Sequence, residues 1–278
     1  MGNSMDYSSA ELNGKNEPNL SDYKKIQKIL ENKVRELDRS NKELEEFAYI
    51  ASHDLQEPLR KITSFSERLK EKLPPDLEPD IQLYLNRMLA ATDNMRRLID
   101  NLLEFSRTSR TSEPFVKTDL NDIIAQVKAD LELKVEETNT EIVTEKLPVI
   151  DAIPIQMRQL FTNLFTNSIK FRQPDKPPHI NITCRLLDDD EKDDYHLRGN
   201  GNVYQILVTD KGIGFEQEYA MKIFQIFQRL HGKAEYPGSG IGLAICKKIV
   251  ENHKGEIFAK SEPGEGAEFI IIIPESQT

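Results

Sequence analysis

The sequence predicts a multi-domain chain: an all-α antiparallel helical hairpin that closes a dimeric four-helix bundle, followed by an α+β domain. Three observations carry this. Apolar residues recur at helical spacing from Tyr23 to Leu102, broken by one proline-rich turn. Beyond about residue 119 short alternating runs appear between shorter helices, the texture of an α+β domain. The 278 residues leave room for about two domains of ordinary size.

The first element is a coiled-coil linker over 23–46, after a leader over 1–22 whose Asn, Ser and Glu content reads as disordered. Tyr23, Ile26, Leu30, Lys33, Leu37, Ser40, Leu44, Phe47 and Ala51 fill successive a and d positions, with Lys, Glu, Arg and Asn between them. Such a seam expects a parallel partner helix. In that register His53 takes position c and faces outward. The stretch FAYIASHDLQEPLRKI (47–62) sets His53 beside Asp54 and places Pro58 five residues on, inside the same helical run. Proline removes a helical hydrogen bond, so Pro58 reads as a bend point beside His53.

The hairpin spans 47–108. Ile62, Phe65 and Leu69 continue the first stripe as far as KLPPDLEP (72–79), and Ile81, Leu85, Met88, Thr92, Met95, Ile99 and Leu102 form the second. Each helix leaves an apolar face uncovered, so two copies are expected to close the bundle as a homodimer. SRTSRTSEP (106–114) reads as a hinge, with the hinge proper over 109–118 and the second domain over 119–278. Asp119 can cap a helix over 120–138, strand-like runs follow at 141–145 and 148–151, and a helix starts at Pro154 and reaches about Arg172. HINITCRLL (179–187) and VYQILVTD (203–210) alternate like hairpin strands around an acidic stretch read as a solvated loop. A last helix over about 241–253 precedes strands in GEIFAKSE and AEFIIIIP.

Composition narrows the function. Hydrophobic residues make up 38% and charged residues 30%, and a net charge of −10 excludes nucleic acid or an anionic membrane as the main partner. Cys184 and Cys246 form no metal or disulfide spacing, which fits a reducing, cytoplasmic setting. No apolar run approaches the ~20 residues of a membrane span, and no signal peptide pattern opens the chain. The start MGNSMD is similar to a myristoylation signal, but Asp6 stands where Ser or Thr is wanted.

Four stretches of the second domain carry chemistry. NLFTNSIKF (163–171) puts Asn163 and Asn167 one turn apart with Lys170 three residues on; amide oxygens can ligate Mg²⁺ beside phosphates, and lysine supplies a point charge. DKGIGF (210–215) ends a strand in Asp210, a possible reader of an exocyclic amine, and its Gly212 and Gly214 let backbone approach a flat ligand. IFQIFQRLH (223–231) offers Arg229 as a phosphate clamp. GSGIGLAICKKIV (238–250) feeds Gly238, Gly240 and Gly242 into a helix N-terminus, an anion site. Taken singly each has a plainer explanation: Asn163 and Asn167 as helix-surface residues, Phe224 and Phe227 as core. The glycine-rich turn is neither a Walker loop nor GxGxxG. His179, His196, His231 and His253 have no mutual ligand spacing and read as structural or surface residues. The order of all four stretches within one domain-sized segment makes them a set.

On these residues the chain resembles a sensor histidine kinase of two-component signalling, with a HisKA-type dimerisation and phosphotransfer hairpin and a Bergerat-type ATP-binding domain, an α/β sandwich. SHDLQEPLR is similar to the phosphoacceptor box, NLFTNSIKF to the N box, DKGIGF and GSGIGLAI to the two G boxes, and IFQIFQRLH to the F box. SHDLQEPLR and FQRLHGKAEYPGSGIGLAICKKIVENH look most like the phytochrome-type branch, without a photosensory segment. The resemblance implies that His53 attacks the γ-phosphate of ATP through a ring nitrogen. Asp54 would serve as base on the other nitrogen, a contact expected to need a rotamer or helix adjustment. It further implies that Asn167 binds Mg²⁺ with support from Asn163, Lys170 and Arg229 contact phosphates, and Asp210 reads adenine. Gly212 and Gly214 would shape the base pocket, while Gly238, Gly240 and Gly242 let a lid close. The implied partners are a second copy, a response-regulator receiver protein, and an upstream sensor domain or partner protein. Four residues after His53, where many relatives place a Thr or Asn that orients water for dephosphorylation, stands Glu57, as is common in the phytochrome-type branch. A Bergerat-fold ATPase of another class lacks the histidine-bearing hairpin; an inactive dimeric scaffold would not need every ligand residue in place.

Overall fold

A computed structural model describes residues 20–73, 79–108, 113–195, 201–230, 232, 236 and 238–277. Most of the expected leader, the centres of the 72–79 turn and the hinge, and His196 and His231 lie outside the described residues. The chain divides into two compact units at Phe47 and Ala48.

The first unit is the leading part of helix α1 (Leu20–Lys72). Charged neighbours three and four apart lace its surface: Lys33 pairs with Glu36 and Arg39 with Glu43. Leu30 on the seam and Ile29 and Val34 flanking it are exposed, an apolar face without a cover in a single chain.

The second unit begins with the rest of α1 and with α2 (Pro79–Thr108). α1 runs without interruption through Pro58. Because residue i bonds to the carbonyl of i−4, the carbonyl that proline leaves without a helical partner is that of Asp54. Leu59, Leu85, Leu103 and Thr92 are buried, whereas Ile62, Phe65 and Leu69 on α1 and Ile81, Met88 and Met95 on α2 are exposed. The α2 trio repeats every seven residues, the spacing of a helical seam.

The α+β domain opens earlier than the sequence suggested. Residues assigned to the hinge form β1 (Val116–Asp119), antiparallel to β3 (Val149–Ala152). Four residues next to a cap give too short a pattern to read, and it is the pairing across the chain that makes them a strand. Asp119 does cap α3 (Leu120–Asp130), accepting from the Asn121 N–H at 2.8 Å. The single helix expected over 120–138 is two: after Leu131 the chain continues as α4 (Glu132–Thr138), ending at Asn139 in left-handed backbone.

Five strands form the main sheet in the order β2-β4-β5-β7-β6, from β2 (Glu141–Thr144), β4 (His179–Leu186), β5 (Val203–Asp210), β6 (Glu256–Glu262) and β7 (Gly266–Pro274). Only the β2–β4 pair is parallel. α3, α5 (Pro154–Lys170) and α7 (Gly242–Asn252) cover one face. The isoleucine run of β7 alternates faithfully. Phe269, Ile271 and Ile273 join Phe161, Phe165 and Ile249 under the helices, while Ile270 and Ile272 join Leu187 and Val203 on the opposite face. That second cluster is closed by Tyr195 after α6 (Asp189–Asp194), a short helix where a solvated loop was expected. Asp188 and Glu191 form a reciprocal capping box there, and Arg185 pairs with Glu191 at 2.7 Å.

The end of α2 packs into this domain. Leu102 and Phe105 lie against its core, and the Thr108 carbonyl accepts from Gln156 Nε2 at 3.2 Å and Asn252 Nδ2 at 2.8 Å. His253, fully buried, is structural: its Nε2 accepts from the Ile153 N–H at 3.0 Å and its Nδ1 donates to the Ile249 carbonyl at 2.7 Å.

Candidate functional site

Two groups of residues carry the chemistry, one on the hairpin and one at the end of the sheet. On α1, His53 and Asp54 have side-chain exposures of 72% and 74%, as an outward position requires. His53 Nδ1 lies 3.2 Å from Asp54 Oδ1. Adjacent helical residues usually diverge, and the sequence suggested that a rotamer or helix adjustment would be needed; the exposed pair meets with the helix intact, so the side-chain rotamers suffice. Asp54 as acceptor fixes the proton on Nδ1 and leaves the Nε2 lone pair directed outward. Glu57 is bound by Arg60 and Lys61, which hold its carboxyl below the usual range. Gln56 Nε2 donates to Asp100 Oδ1 at 2.9 Å, joining this turn to α2.

The second group lines a cavity of about 450 Å³ between α5, α7 and the loop after β5. α5 begins with Pro154 at its first turn and presents Asn163, Asn167 and Lys170 along one face to this cavity. Asn163 Nδ2 donates to the Gly242 carbonyl at 3.3 Å, tying α5 to the start of α7. The Lys170 ammonium sits 4.2 Å from the Phe171 ring centroid, and burial together with the nearby Arg229 guanidinium lowers its pKa. Arg229 donates to the Tyr236 carbonyl at 3.0 Å.

Asp210, at the end of β5, is buried behind the cavity. Its Oδ1 accepts from the Gly212 N–H at 2.8 Å and the Ala267 N–H at 3.3 Å, and its Oδ2 accepts from Ser168 Oγ at 3.0 Å. Burial raises its pKa, and these three donors oppose the rise. Gly214, in left-handed backbone at φ 62°, packs so closely that a side chain would overlap the Glu262 carbonyl oxygen. Gly212 does not line the cavity but packs beneath it, against the Phe171 carbonyl.

Of the glycine-rich stretch, Gly238, Gly240 and Gly242 all border the cavity. Gly240 (φ 74°) lies over the Phe227–Gln228 backbone, where a Cβ would stand 2.8 Å from the Gln228 carbonyl oxygen. Gly242 begins α7, whose first turn has no side-chain cap, so its N–H groups remain available to an anion. Phe224 is buried, as expected of a core residue. Phe227 is not: it is 54% exposed with φ 65°, because the left-handed turn that brings its backbone under Gly240 rotates the ring outward.

Several lining residues were given no role by the motif reading. Phe171 and Tyr236 face each other with centroids 5.0 Å apart. Asn101 and Glu104 reach the cavity from α2, and Gln159 Nε2 donates to Glu104 Oε1 at 2.6 Å. Burial raises the Glu104 pKa. Their contribution is tertiary, and nothing in the helical spacing singled them out. His53 is not among the described residues around the cavity.

Comparison with known proteins agrees with both halves. Residues 43–110 match the His Kinase A (phospho-acceptor) domain, and residues 152–277 match the histidine kinase-, DNA gyrase B- and HSP90-like ATPase. Phytochrome-like protein Cph1 of Synechocystis sp. is 38% identical over 87% of this chain and 30% of its own length. Sensor protein kinase WalK of Staphylococcus saprophyticus is 31% identical over 87% of this chain and 38% of its own. The chain therefore spans about a third of the length of these curated relatives. Among solved structures, full-length ShkA in complex with AMPPNP aligns with a TM-score of 0.59 and 23% identity, over 82% of this chain and 45% of that one. Histidine kinase ThkA in complex with response regulator protein TrrA aligns with a TM-score of 0.55 and 23% identity, over 90% and 67%. These two likenesses concern the fold. With a phosphoacceptor hairpin leading directly into a histidine-kinase-like ATPase domain, the chain belongs to the sensor histidine kinases.

Proposed function

We propose that the protein is an ATP-dependent histidine kinase that phosphorylates its own His53 and passes the phosphoryl group to an aspartate of a separate receiver domain. The observation that carries this reading is the His53–Asp54 contact at 3.2 Å, which frees Nε2 on an exposed helix face ahead of a nucleotide-sized cavity. In the first step Nε2 attacks the γ-phosphorus, the bond to the β,γ-bridging oxygen breaks, and ADP leaves. Asp54 accepts from Nδ1–H, balances the positive charge that develops on the ring, and takes the Nδ1 proton as the phosphorylated ring returns to neutrality. Phosphoryl transfer asks chiefly for positioning and charge neutralisation. Lys170, Arg229 and the uncapped first turn of α7 supply donors for the phosphates, and Asp210 receives the exocyclic amine of adenine. The complex of ShkA with AMPPNP supports a nucleotide in this fold.

The donor set also fits Mg²⁺. No cluster of three or more His, Cys, Asp or Glu residues exists among the described residues, so a protein cage is absent there. Asn167, with Asn163 one turn away, offers a single amide oxygen to an ion held otherwise by phosphates and water, as suits Mg²⁺. Bound there, the ion would neutralise phosphate charge.

The uncovered stripes of Ile62, Phe65 and Leu69 and of Ile81, Met88 and Met95 favour a homodimer closing a four-helix bundle. The ThkA complex with TrrA supports a receiver partner. A cytoplasmic setting agrees with two free cysteines, the Cys184 thiol being pushed up to about 11 by burial. No helix among the described residues is long and apolar enough to cross a membrane. Signal input would arrive through a sensor domain or partner protein.

Incubation with γ-labelled ATP tests the reading. An acid-labile, alkali-stable label on the wild-type chain that is lost in His53→Gln is expected. Steady ATP hydrolysis without label, or a label retained in His53→Gln, would overturn it.

A further inference from the structure

The Asp210 carboxylate is gripped by three donors, and the arithmetic of its lone pairs singles out one oxygen. Oδ1 already accepts two backbone N–H bonds, from Gly212 and Ala267. Each carboxylate oxygen offers about two acceptor sites, so Oδ1 is filled. Oδ2 accepts one bond, from Ser168 Oγ at 3.0 Å, and keeps one site. An amine entering the cavity must therefore be received at Oδ2, the atom that Ser168 holds.

Ser168 has a choice of acceptor. Its oxygen also stands 3.2 Å from the Leu164 carbonyl one turn back, yet a hydroxyl carries a single proton. An ionised carboxylate is the stronger acceptor, and here also the nearer one, so the proton goes to Asp210. The hydroxyl lies in a fully enclosed place, with Ser168 2% exposed, where water does not compete for the bond. It also opposes the rise that burial imposes on the carboxyl's pKa.

We infer that Ser168 is a positioning residue for base selection: its bond to Asp210 Oδ2 turns the remaining lone pair of that oxygen toward a 6-amino group and thereby favours adenine over a 6-oxo purine. The inference rests on the assignment of Asp210 as the reader of the base. It assigns Ser168 no contact with the nucleotide, since the side chain sits behind Asp210 and does not line the cavity.

The experiment compares ATP with inosine triphosphate, which differs at the reading edge in having a 6-oxo group and a protonated N1. Binding of each is measured by titration calorimetry on the full chain for wild type, Ser168→Ala and Asp210→Asn, with a thermal melt of each variant. Ser168→Ala is expected to weaken ATP about tenfold, the loss of one hydrogen bond to a charged group, and to leave inosine triphosphate within about twofold. Its melting temperature should hold, because alanine suits the helix interior. Equal losses for both nucleotides with a lower melting temperature would mean a purely structural role, and an unchanged ATP affinity would equally overturn the inference. Asp210→Asn separates the two levels: if it leaves the preference for ATP intact, the assignment of Asp210 is wrong and Ser168 falls with it. If Asp210→Asn removes the preference and Ser168→Ala does not, only the Ser168 inference fails.

Discussion

Gln159 donates to Glu104 across 2.6 Å, joining the helix that carries Asn163 and Asn167 to the last turns of the hairpin. With the Thr108 carbonyl bonded to Gln156 and Asn252, this fixes α2 on the ATP-binding domain at three side chains. The arrangement is a docked one. We expect these bonds to yield when ATP is brought to His53. Removing Gln159 as Gln159→Ala should free the 101–108 turns, raising their amide exchange about tenfold, the equivalent of one hydrogen bond to a half-buried carboxyl. Hydrogen exchange read by mass spectrometry checks this, and Glu104→Ala on top of Gln159→Ala should add little, because the two act as one contact.

The His53–Asp54 contact predicts a split between chemistry and binding. Asp54→Asn keeps the shape but removes the charge that we propose stabilises the ring during attack. Autophosphorylation should fall by about 100-fold, the usual scale of a lost general base, while ATP affinity stays the same. Single-turnover labelling beside calorimetry measures both.

Pro58 leaves the Asp54 carbonyl without its helical N–H partner in an otherwise unbroken α1. Pro58→Ala restores that bond and stiffens the turn under the nucleophile. We expect a several-fold lower autophosphorylation rate and an altered response to regulation. Unchanged rate and unchanged regulation would remove Pro58 from the account.

His253 gives the protein an acid limit. Burial lowers its pKa from the ordinary 6.5, because the enclosed ring accepts from Ile153 and has no room for a charge. A group whose folded pKa is depressed contributes stability above its unfolded value, and loses it as the pH falls through the folded one. Melting temperatures should therefore drop as the pH falls below about 6.5. His253→Ala should flatten that slope and cost about 3 kcal/mol at neutral pH, since it orphans the buried Ile153 N–H and leaves a cavity.

Gly214 leaves no room for a side chain beside the cavity. Gly214→Ala forces a Cβ into the Glu262 carbonyl at φ 62°, so the loop after β5 must shift away from the β6–β7 turn. ATP affinity should fall more than tenfold, with thermal stability reduced as well, as read by calorimetry and a thermal melt.

How much of this could be read beforehand follows from the range of the forces involved. Asn163, Asn167 and Lys170 were legible because helical spacing alone puts them on one face. Asp210 and Gly214 were legible because a strand ending in Asp-x-Gly-x-Gly announces a close approach. β1 was not, since its pairing with β3 is set by residues about thirty positions away. The short α6 was missed because its local capping box overrode the larger pattern, whereas the break at Leu131 carries no side-chain cap that a sequence could announce. Ser168 and Glu104 escaped for a different reason. An ordinary serine inside a helix and a glutamate on an amphipathic helix gain meaning only from Asp210 and Gln159, which the fold brings to them.

The most direct test of the account is the position of the phosphorus on the ring. Phosphorus NMR of the protein incubated with Mg-ATP distinguishes the two phosphohistidine isomers. With Asp54 holding Nδ1–H, the signal should be that of Nε2-phosphohistidine, absent from His53→Gln. A signal from Nδ1-phosphohistidine, or from phosphate on any other side chain, would contradict it.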